Sequence, residues 1–136
     1  MARFIAFDFG TRRVGVAITD SGAMIAAPEG TYPPESLDAE IQRLLKEEPC
    51  AGFVVGMPGL LTGDATHSTS AIQTFAAQLK RKFPDYAVDM VDEDHTSREA
   101  SLAMVQAGMR KSKRREKGQL DRIAATLILQ RFLDSR

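Results

Sequence analysis

The sequence predicts an α/β fold with a mixed five-stranded sheet and helices on both of its faces. Two apolar segments near the N-terminus are joined by a tight turn at Gly10, which indicates an antiparallel strand pair. Further along, short apolar runs alternate with segments of helical periodicity, as in parallel strands with crossover helices. The chain has 136 residues, of which 43% are hydrophobic. We therefore expect residues 1–136 to form a single domain.

Three strands are predicted in the first part of the chain. Residues 3–9 are apolar almost throughout, which is typical of a central strand buried on both faces. Residues 14–20 alternate in the manner of a second strand. A third strand is predicted over residues 24–32, where Pro28 lacks the N–H that a sheet ladder needs. We therefore expect the third strand at an edge of the sheet.

Helices and two more strands follow in alternation. Ser36 is predicted to cap a first helix, which ends before Pro49. Residues 51–57 and 87–91 are short apolar runs that predict parallel strands, with a helix between them. A capping box at residues 96–99 predicts a third helix. The final helix is predicted to present Leu120, Ile123, Ala124, Leu127, Ile128 and Phe132 to the core.

Asp8 is the residue around which we expect the function to be organised. It ends an apolar strand, where a carboxylate is costly unless a partner compensates it. In mixed and parallel sheets, ligands bind beyond the carboxyl ends of the strands. Asp8, the bend at residues 56–58 and Glu93 all stand at such ends. The sequence therefore predicts a functional site at this edge.

Carboxylates gathered at one sheet edge predict a divalent cation. Two of them repel unless a cation lies between them, and oxygen ligands favour Mg²⁺ or Mn²⁺ over zinc. We select Asp121 as the third ligand because the dipole of the last helix favours its charged form. Two metal ions roughly 4 Å apart would suit in-line displacement at phosphorus. The predicted catalytic residues and metal ligands are Asp8, Glu93 and Asp121.

Residues 110–118 form a basic segment that predicts contact with nucleic acid. Six Lys or Arg residues stand against Glu116, an excess of five positive charges in a chain of zero formal net charge. Such side chains neutralise backbone phosphates. Arginines in the turn beside Asp8 could add phosphate contacts. The residues predicted to bind substrate are Arg12, Arg13, Lys113, Arg114 and Lys117.

The single cysteine, Cys50, rules out an internal disulfide and fits a reducing compartment. No apolar run is long enough to span a bilayer, and Asp8 comes too soon for a signal peptide. We expect a cytoplasmic protein with no membrane partner. The oligomeric state stays open, a homodimer included.

Simpler interpretations stand beside these. Asp8 could bond only to turn amides, Glu93 competes with Asp92 and Asp94, and Asp121 could be an ordinary helix N-terminal charge. If the acids have no catalytic role, a non-catalytic nucleic-acid-binding factor remains. Residues 8–11 also resemble the phosphate loop of the actin and sugar-kinase fold, which would suit an ATPase. That fold needs two domains, and this chain has room for one.

Four motifs together resemble the YqgF/RuvX family over essentially the whole chain. The motifs are Asp8-Phe9-Gly10 with residues 13–17, Gly56-Met57-Pro58, Asp92-Glu93, and residues 121–130. The resemblance implies a ribonuclease H-like fold and a metal-dependent nuclease that processes the 5′ end of precursor 16S ribosomal RNA. The family is also described as Holliday-junction-resolvase-like, so branched DNA is the alternative substrate. Asp8, Glu93 and Asp121 match the acidic positions of the family.

The sequence departs from the family pattern in two places. Asp94 stands where the family usually has an arginine, which adds negative charge beside Glu93. Residues 59–63 replace a segment that usually carries an asparagine and an aspartate. Both departures bear on how substrate is handled and leave the three acids in place.

Overall fold

The structure is a computed structural model that describes residues 2–10, 12–20, 22–23, 25–57, 67–92 and 119–136, without the side chains of 67–68 and 119–122. These ranges contain five strands and three helices. The elements are β1 (Arg3–Phe9), β2 (Val14–Thr19), β3 (Ala26–Tyr32), α1 (Pro34–Glu47), β4 (Cys50–Met57), α2 (His67–Lys82), β5 (Ala87–Asp92) and α3 (Gln119–Asp134). The helix predicted from residue 96 and the basic segment 110–118 lie outside the described residues.

The five strands form one mixed sheet in the order β3-β2-β1-β4-β5. β1 pairs antiparallel with β2, and β2 pairs antiparallel with β3. β4 runs parallel to both β1 and β5. The predicted mixed five-stranded sheet is therefore confirmed. β3, with Pro28, lies at the edge as expected.

Two hydrophobic clusters cover the two faces of the sheet, because successive strand residues point to opposite sides. On the face of α1 and α2, Ile5 and Phe7 of β1 pack in one buried cluster. On the opposite face, which we call the α3 face, Phe4 and Ala6 join the second cluster. The α3 residues of this cluster are Ala125, Ile128 and Leu129. Helices on both faces of the sheet are thus confirmed.

Phe53 lies fully buried in β4, at the centre of an aromatic group on the face of α1 and α2. Its ring centroid lies 5.8 Å from that of Phe7, 5.7 Å from Phe83 and 5.4 Å from Tyr86. Tilted and edge-to-face rings at such distances are favourable arrangements. These contacts connect the central strand to the end of α2 and the start of β5.

The start of α1 differs from the prediction. Ser36 is not the N-cap, because the helix begins at Pro34 and Pro33 occupies the cap position without a side-chain hydrogen bond. The Ser36 hydroxyl donates instead to the Pro33 carbonyl oxygen at 3.1 Å. Proline suits the first helical position because its missing N–H would have no partner there and its φ is already helical. The proline pair therefore starts the helix.

The contact face of α3 is partly as predicted. Ala124 and Ile128 are buried, as expected, but Ala125 and Leu129 are buried as well, whereas Leu127 is only half-buried. The stripe that packs on the sheet therefore includes Ala125, Ile128 and Leu129. None of the described helices has the length and apolar character needed to cross a membrane.

Replacing Thr19 with valine is expected to destabilise the fold. The buried Thr19 hydroxyl oxygen accepts the backbone N–H of Phe4 at 2.9 Å. Valine has the same shape but no acceptor, so this buried N–H would lose its partner at a cost of about 1–3 kcal/mol. Urea denaturation measures the change. Thr19→Ser is the control, because it keeps the acceptor and should cost less. A valine variant as stable as the parent protein would contradict the assignment.

Candidate active site at the carboxyl end of β1

Asp8 is the next-to-last residue of the central strand β1, and it is half-buried. It pairs with Gly15 of β2. Because side chains alternate along a strand, Asp8 lies on the same face as Ala6, which belongs to the α3 face. The carboxylate therefore stands at the carboxyl end of the sheet, on the side that α3 covers.

The turn after β1 is held by a close backbone contact. The Gly10 N–H donates to the Arg13 carbonyl oxygen at 3.1 Å. A Cβ atom at Gly10 would lie 2.7 Å from that oxygen, so a side chain there would force the turn to shift. The turn places Arg12, which is exposed, and Arg13, which is half-buried, within a few residues of Asp8.

The last helix covers the sheet with its C-terminal end near the beginning of β1. The Phe132 ring contacts the Phe4 ring edge-on at 4.9 Å between centroids. The backbone of Asp121 lies in the first turn of α3, as predicted, whereas its side chain is outside the description. At about 1.5 Å per residue, α3 extends about 16 Å from Phe132 back to Asp121, and β1 extends about 13 Å from Phe4 to Asp8. The stretch of α3 from Asp121 to Phe132 is therefore about as long as the stretch of β1 from Phe4 to Asp8.

Most of the other predicted site residues fall outside the described part of the chain. β5 ends at Asp92, whose carbonyl oxygen accepts a hydrogen bond from the Arg131 guanidinium at 2.9 Å. Within the described ranges, no three His, Cys, Asp or Glu side chains are grouped as a metal site. Those ranges exclude Glu93 and the Asp121 side chain, two of the three predicted ligands. The predicted site residues outside them altogether are Glu93, Lys113, Arg114 and Lys117.

A pocket of about 320 Å³ lies between the β1–β2 turn and the end of β3, and the residues lining it are Arg12, Arg13, Thr31, Tyr32 and Pro33. The two arginines are predicted site residues, but the other three were missed. Strand pairing holds the signal that could have found them. Thr31 pairs with Gly15, which on its other side pairs with Asp8, so one row of the sheet joins Asp8 to the pocket.

Tyr32, one of the residues that line this pocket, is held by a polar network. Its phenol donates to a carboxylate oxygen of Glu29 at 2.7 Å, and Arg43 donates to the same oxygen at 2.6 Å. Glu29 is the extra residue of a bulge in β3, because Gly30 and Pro28 pair with consecutive residues of β2. A bulge redirects a side chain, and here Glu29 bonds to Arg43 on α1. Burial, and then the hydrogen bond and charge of Glu29, raise the pKa of Tyr32 to about 12.

Replacing Glu29 with glutamine is expected to lower the pKa of Tyr32 from about 12, because a neutral amide no longer opposes the phenolate. The pKa should stay above the ordinary value of 10.0, because burial is the largest cause of the shift and remains. The pKa of Tyr32 is measured from phenolate absorbance against pH. The same titration of the matching Tyr32→Phe variant is subtracted, which removes the contribution of Tyr86. Circular dichroism at each pH monitors the fold. A midpoint that stays at about 12 would contradict the role of Glu29.

The architecture places the protein among ribonuclease H-like α/β proteins, as predicted. RuvC from Thermus thermophilus, solved with a Holliday junction substrate, matches 100% of this chain and 96% of its own, with a TM-score of 0.56. A second Thermus thermophilus RuvC structure matches 98% of this chain and 95% of its own, with a TM-score of 0.54. Identity is 13% in both comparisons, so the likeness concerns the fold.

Closer relatives identify the family. Residues 2–135 match the RuvX family, described as Holliday junction resolvase. Three similar proteins are provisionally named pre-16S rRNA nuclease. That of Chlorobium luteolum is 39% identical over 97% of this chain and 94% of its own. That of Chlorobaculum tepidum is 41% identical over 98% of this chain and 94% of its own. That of Bacteroides thetaiotaomicron is 35% identical over 100% of this chain and 99% of its own. The chain belongs to the RuvX family of nucleases, which confirms the family and the hydrolase class predicted from its motifs.

Proposed function

We propose that residues 1–136 act as a single nuclease domain of the cytoplasm, dependent on Mg²⁺ or Mn²⁺, that processes the 5′ end of pre-16S rRNA during ribosome biogenesis. The observation that carries the proposal is the position of Asp8, at the carboxyl end of the central strand and on the α3 face. The names of the relatives direct the choice of substrate.

Asp8, Glu93 and Asp121 would hold the cation. Their oxygens are the donors that Mg²⁺ and Mn²⁺ prefer. Val91 of β5, which precedes Glu93 by two positions in the sequence, packs against the α3 face, the face of Asp8. The backbone of Asp121 lies in the first turn of α3, about one helical turn before the buried Ala125.

Once bound, the cation would polarise the phosphodiester and lower the pKa of a water molecule that attacks it. The chain itself supplies charge and position. β1 is paired on both sides, with β4 up to Phe7 and with β2 up to Phe9, and the pairing of Asp8 with Gly15 fixes its backbone. Arg12 and Arg13, with Lys113, Arg114 and Lys117 of the basic segment, would neutralise the phosphates next to the one that is cleaved.

Cleavage assays on three labelled substrates in parallel test this function: a pre-16S rRNA fragment, linear DNA and a four-way DNA junction. Each is incubated with Mg²⁺, with Mn²⁺ and with a chelator. We expect cleavage of the RNA that requires the metal ion. Binding without turnover of any substrate would favour a non-catalytic nucleic-acid-binding factor instead.

Branched DNA is the second candidate substrate, because the matching family is described as Holliday junction resolvase. Cleavage of the four-way junction in preference to the RNA would favour it. Light scattering on the same samples measures whether the active species is a homodimer.

A further inference from the structure

We propose that the pocket of Arg12, Arg13, Thr31, Tyr32 and Pro33 binds one nucleotide of the substrate strand, with its phosphate on the two guanidinium groups and its sugar and base against Tyr32 and Pro33. This inference rests on the proposed nuclease function and deepens it. It assigns a place for a nucleotide next to the one at which the strand is cut.

The first support is the position of the pocket relative to Asp8. Asp8, Gly15 and Thr31 occupy one row across three adjacent strands, and paired residues lie on the same face. Neighbouring strands are about 4.8 Å apart, so the backbones of Asp8 and Thr31 are separated by about 10 Å. Tyr32 packs against the cluster on the face of α1 and α2, so the pocket extends around the end of β3 from the face of Asp8 to the opposite face. A single strand that passes around this end of the sheet can reach both places with nucleotides that are close together in its sequence.

The second support is the charge around the pocket. Two arginines stand on one wall, and the planar fork of a guanidinium matches a phosphate better than a lysine does. Glu29 contacts the lining residue Tyr32 through the Tyr32 hydroxyl. Arg43 lies 2.6 Å from this carboxylate, but the same guanidinium also pairs with Glu40 at 2.8 Å and Glu47 at 2.7 Å, so it offsets only part of the negative charge on this side. The phosphate is therefore expected on the two arginines, and the uncharged sugar and base at Tyr32, where the negative charge is only partly offset.

The third support is the fixed position of the Tyr32 ring. The ring lies back over Gly30, where a Cβ atom would be 2.8 Å from the phenol oxygen and 2.9 Å from the ring. The hydrogen bond to Glu29 holds the other end of the side chain. The aromatic wall is thus in place before a ligand arrives. The volume of about 320 Å³ is small for a ligand site, since such sites span about 300–1,000 Å³, and it suits one nucleotide.

Binding of single strands by the full chain, with a chelator present to prevent cleavage, tests the proposal. The probes are labelled oligouridylate and oligothymidylate of about six nucleotides, and the readout is fluorescence anisotropy. Arg12→Ala and Arg13→Ala should each weaken binding about tenfold. Each should also reduce the slope of log affinity against log salt by about 0.7. Arg81→Ala is the matched control, because Arg81 is an exposed arginine on α2 and should leave binding unchanged.

The aromatic wall is tested separately. Tyr32→Ala should weaken binding about tenfold, whereas Tyr32→Phe keeps the ring and should bind as the parent protein does. Circular dichroism and urea denaturation of both variants verify the fold, because Tyr32 packs against the core. An equal loss in both variants would overturn the stacking wall.

Unchanged affinity and salt dependence in both arginine variants would overturn the proposal as a whole. The failure of the nuclease function gives a different pattern. If Asp8→Asn still cleaves while Arg12→Ala loses binding, the nucleotide pocket is supported and the proposed metal site is wrong. If Asp8→Asn is inactive while Arg12→Ala and Arg13→Ala bind normally, the nuclease stands and the pocket does not. A loss of binding in the arginine variants with either probe supports the proposal, and the ratio of the two affinities tells whether ribose or deoxyribose fits better.

Discussion

Asp8→Asn is expected to abolish cleavage by the protein while its fold and its affinity for nucleic acid persist. Asparagine has nearly the shape of aspartate, so β1 can keep its pairing with Gly15, but the negative charge that would hold the cation is lost. A bound metal ion contributes several kcal/mol to such a reaction, so the rate should fall at least about a thousandfold. Single-turnover cleavage of labelled pre-16S rRNA with Mg²⁺ measures the rate.

The control for this variant is Asp89→Asn. Asp89 is an exposed carboxylate in the edge strand β5, so its replacement makes the same change in charge without touching the proposed site. Its cleavage rate should match that of the parent protein. Anisotropy in chelator checks that the Asp8 variant still binds RNA. Cleavage at the parental rate by Asp8→Asn would show that the metal site is wrongly assigned.

Phe53→Ala is expected to cost about 4 kcal/mol of unfolding free energy, a large fraction of the roughly 5–15 kcal/mol that stabilises a small domain. The side chain is fully buried, and its ring contacts those of Phe7, Phe83 and Tyr86, so truncation leaves a cavity that three other rings line. Urea denaturation measures the loss through the midpoint of the transition.

Two variants calibrate that result. Phe53→Leu retains most of the apolar volume and should cost clearly less than the alanine variant. Ile25→Ala removes a large apolar side chain that is 66% exposed, and the change should stay within about 0.5 kcal/mol. A loss below about 1 kcal/mol for Phe53→Ala would contradict the central position given to the aromatic group.

The sheet could be predicted because its signals are local. The apolar run of β1 indicates burial on both faces, and Pro28 alone argues that β3 lies at an edge. The first residue of α1 could not be predicted in the same way, because two residues compete for the helix start. Ser36 and Pro34 are both good residues for a helix start, and only the observed hydrogen bond of Ser36 to Pro33 decides between them.

The pocket beside Asp8 could not be predicted, because it depends on register. Thr31 is distant from Asp8 in the chain, and the bulge at Glu29 shifts the pairing of β3 by one residue. A one-residue shift moves side chains to the other face of a sheet. Asp8 itself was identifiable from an interrupted apolar strand. The meeting of Glu93 and Asp121 with Asp8 stays a prediction.

The edge formed by β3 also bears on how the protein behaves when it is concentrated. Pro28 offers no N–H to an incoming strand, and the bulge at Glu29 interrupts the regular spacing of the backbone groups around it. A second copy that approached along β3 could not extend the sheet by continuous pairing. This border of the molecule is therefore protected against edge-to-edge aggregation by the backbone of β3 itself.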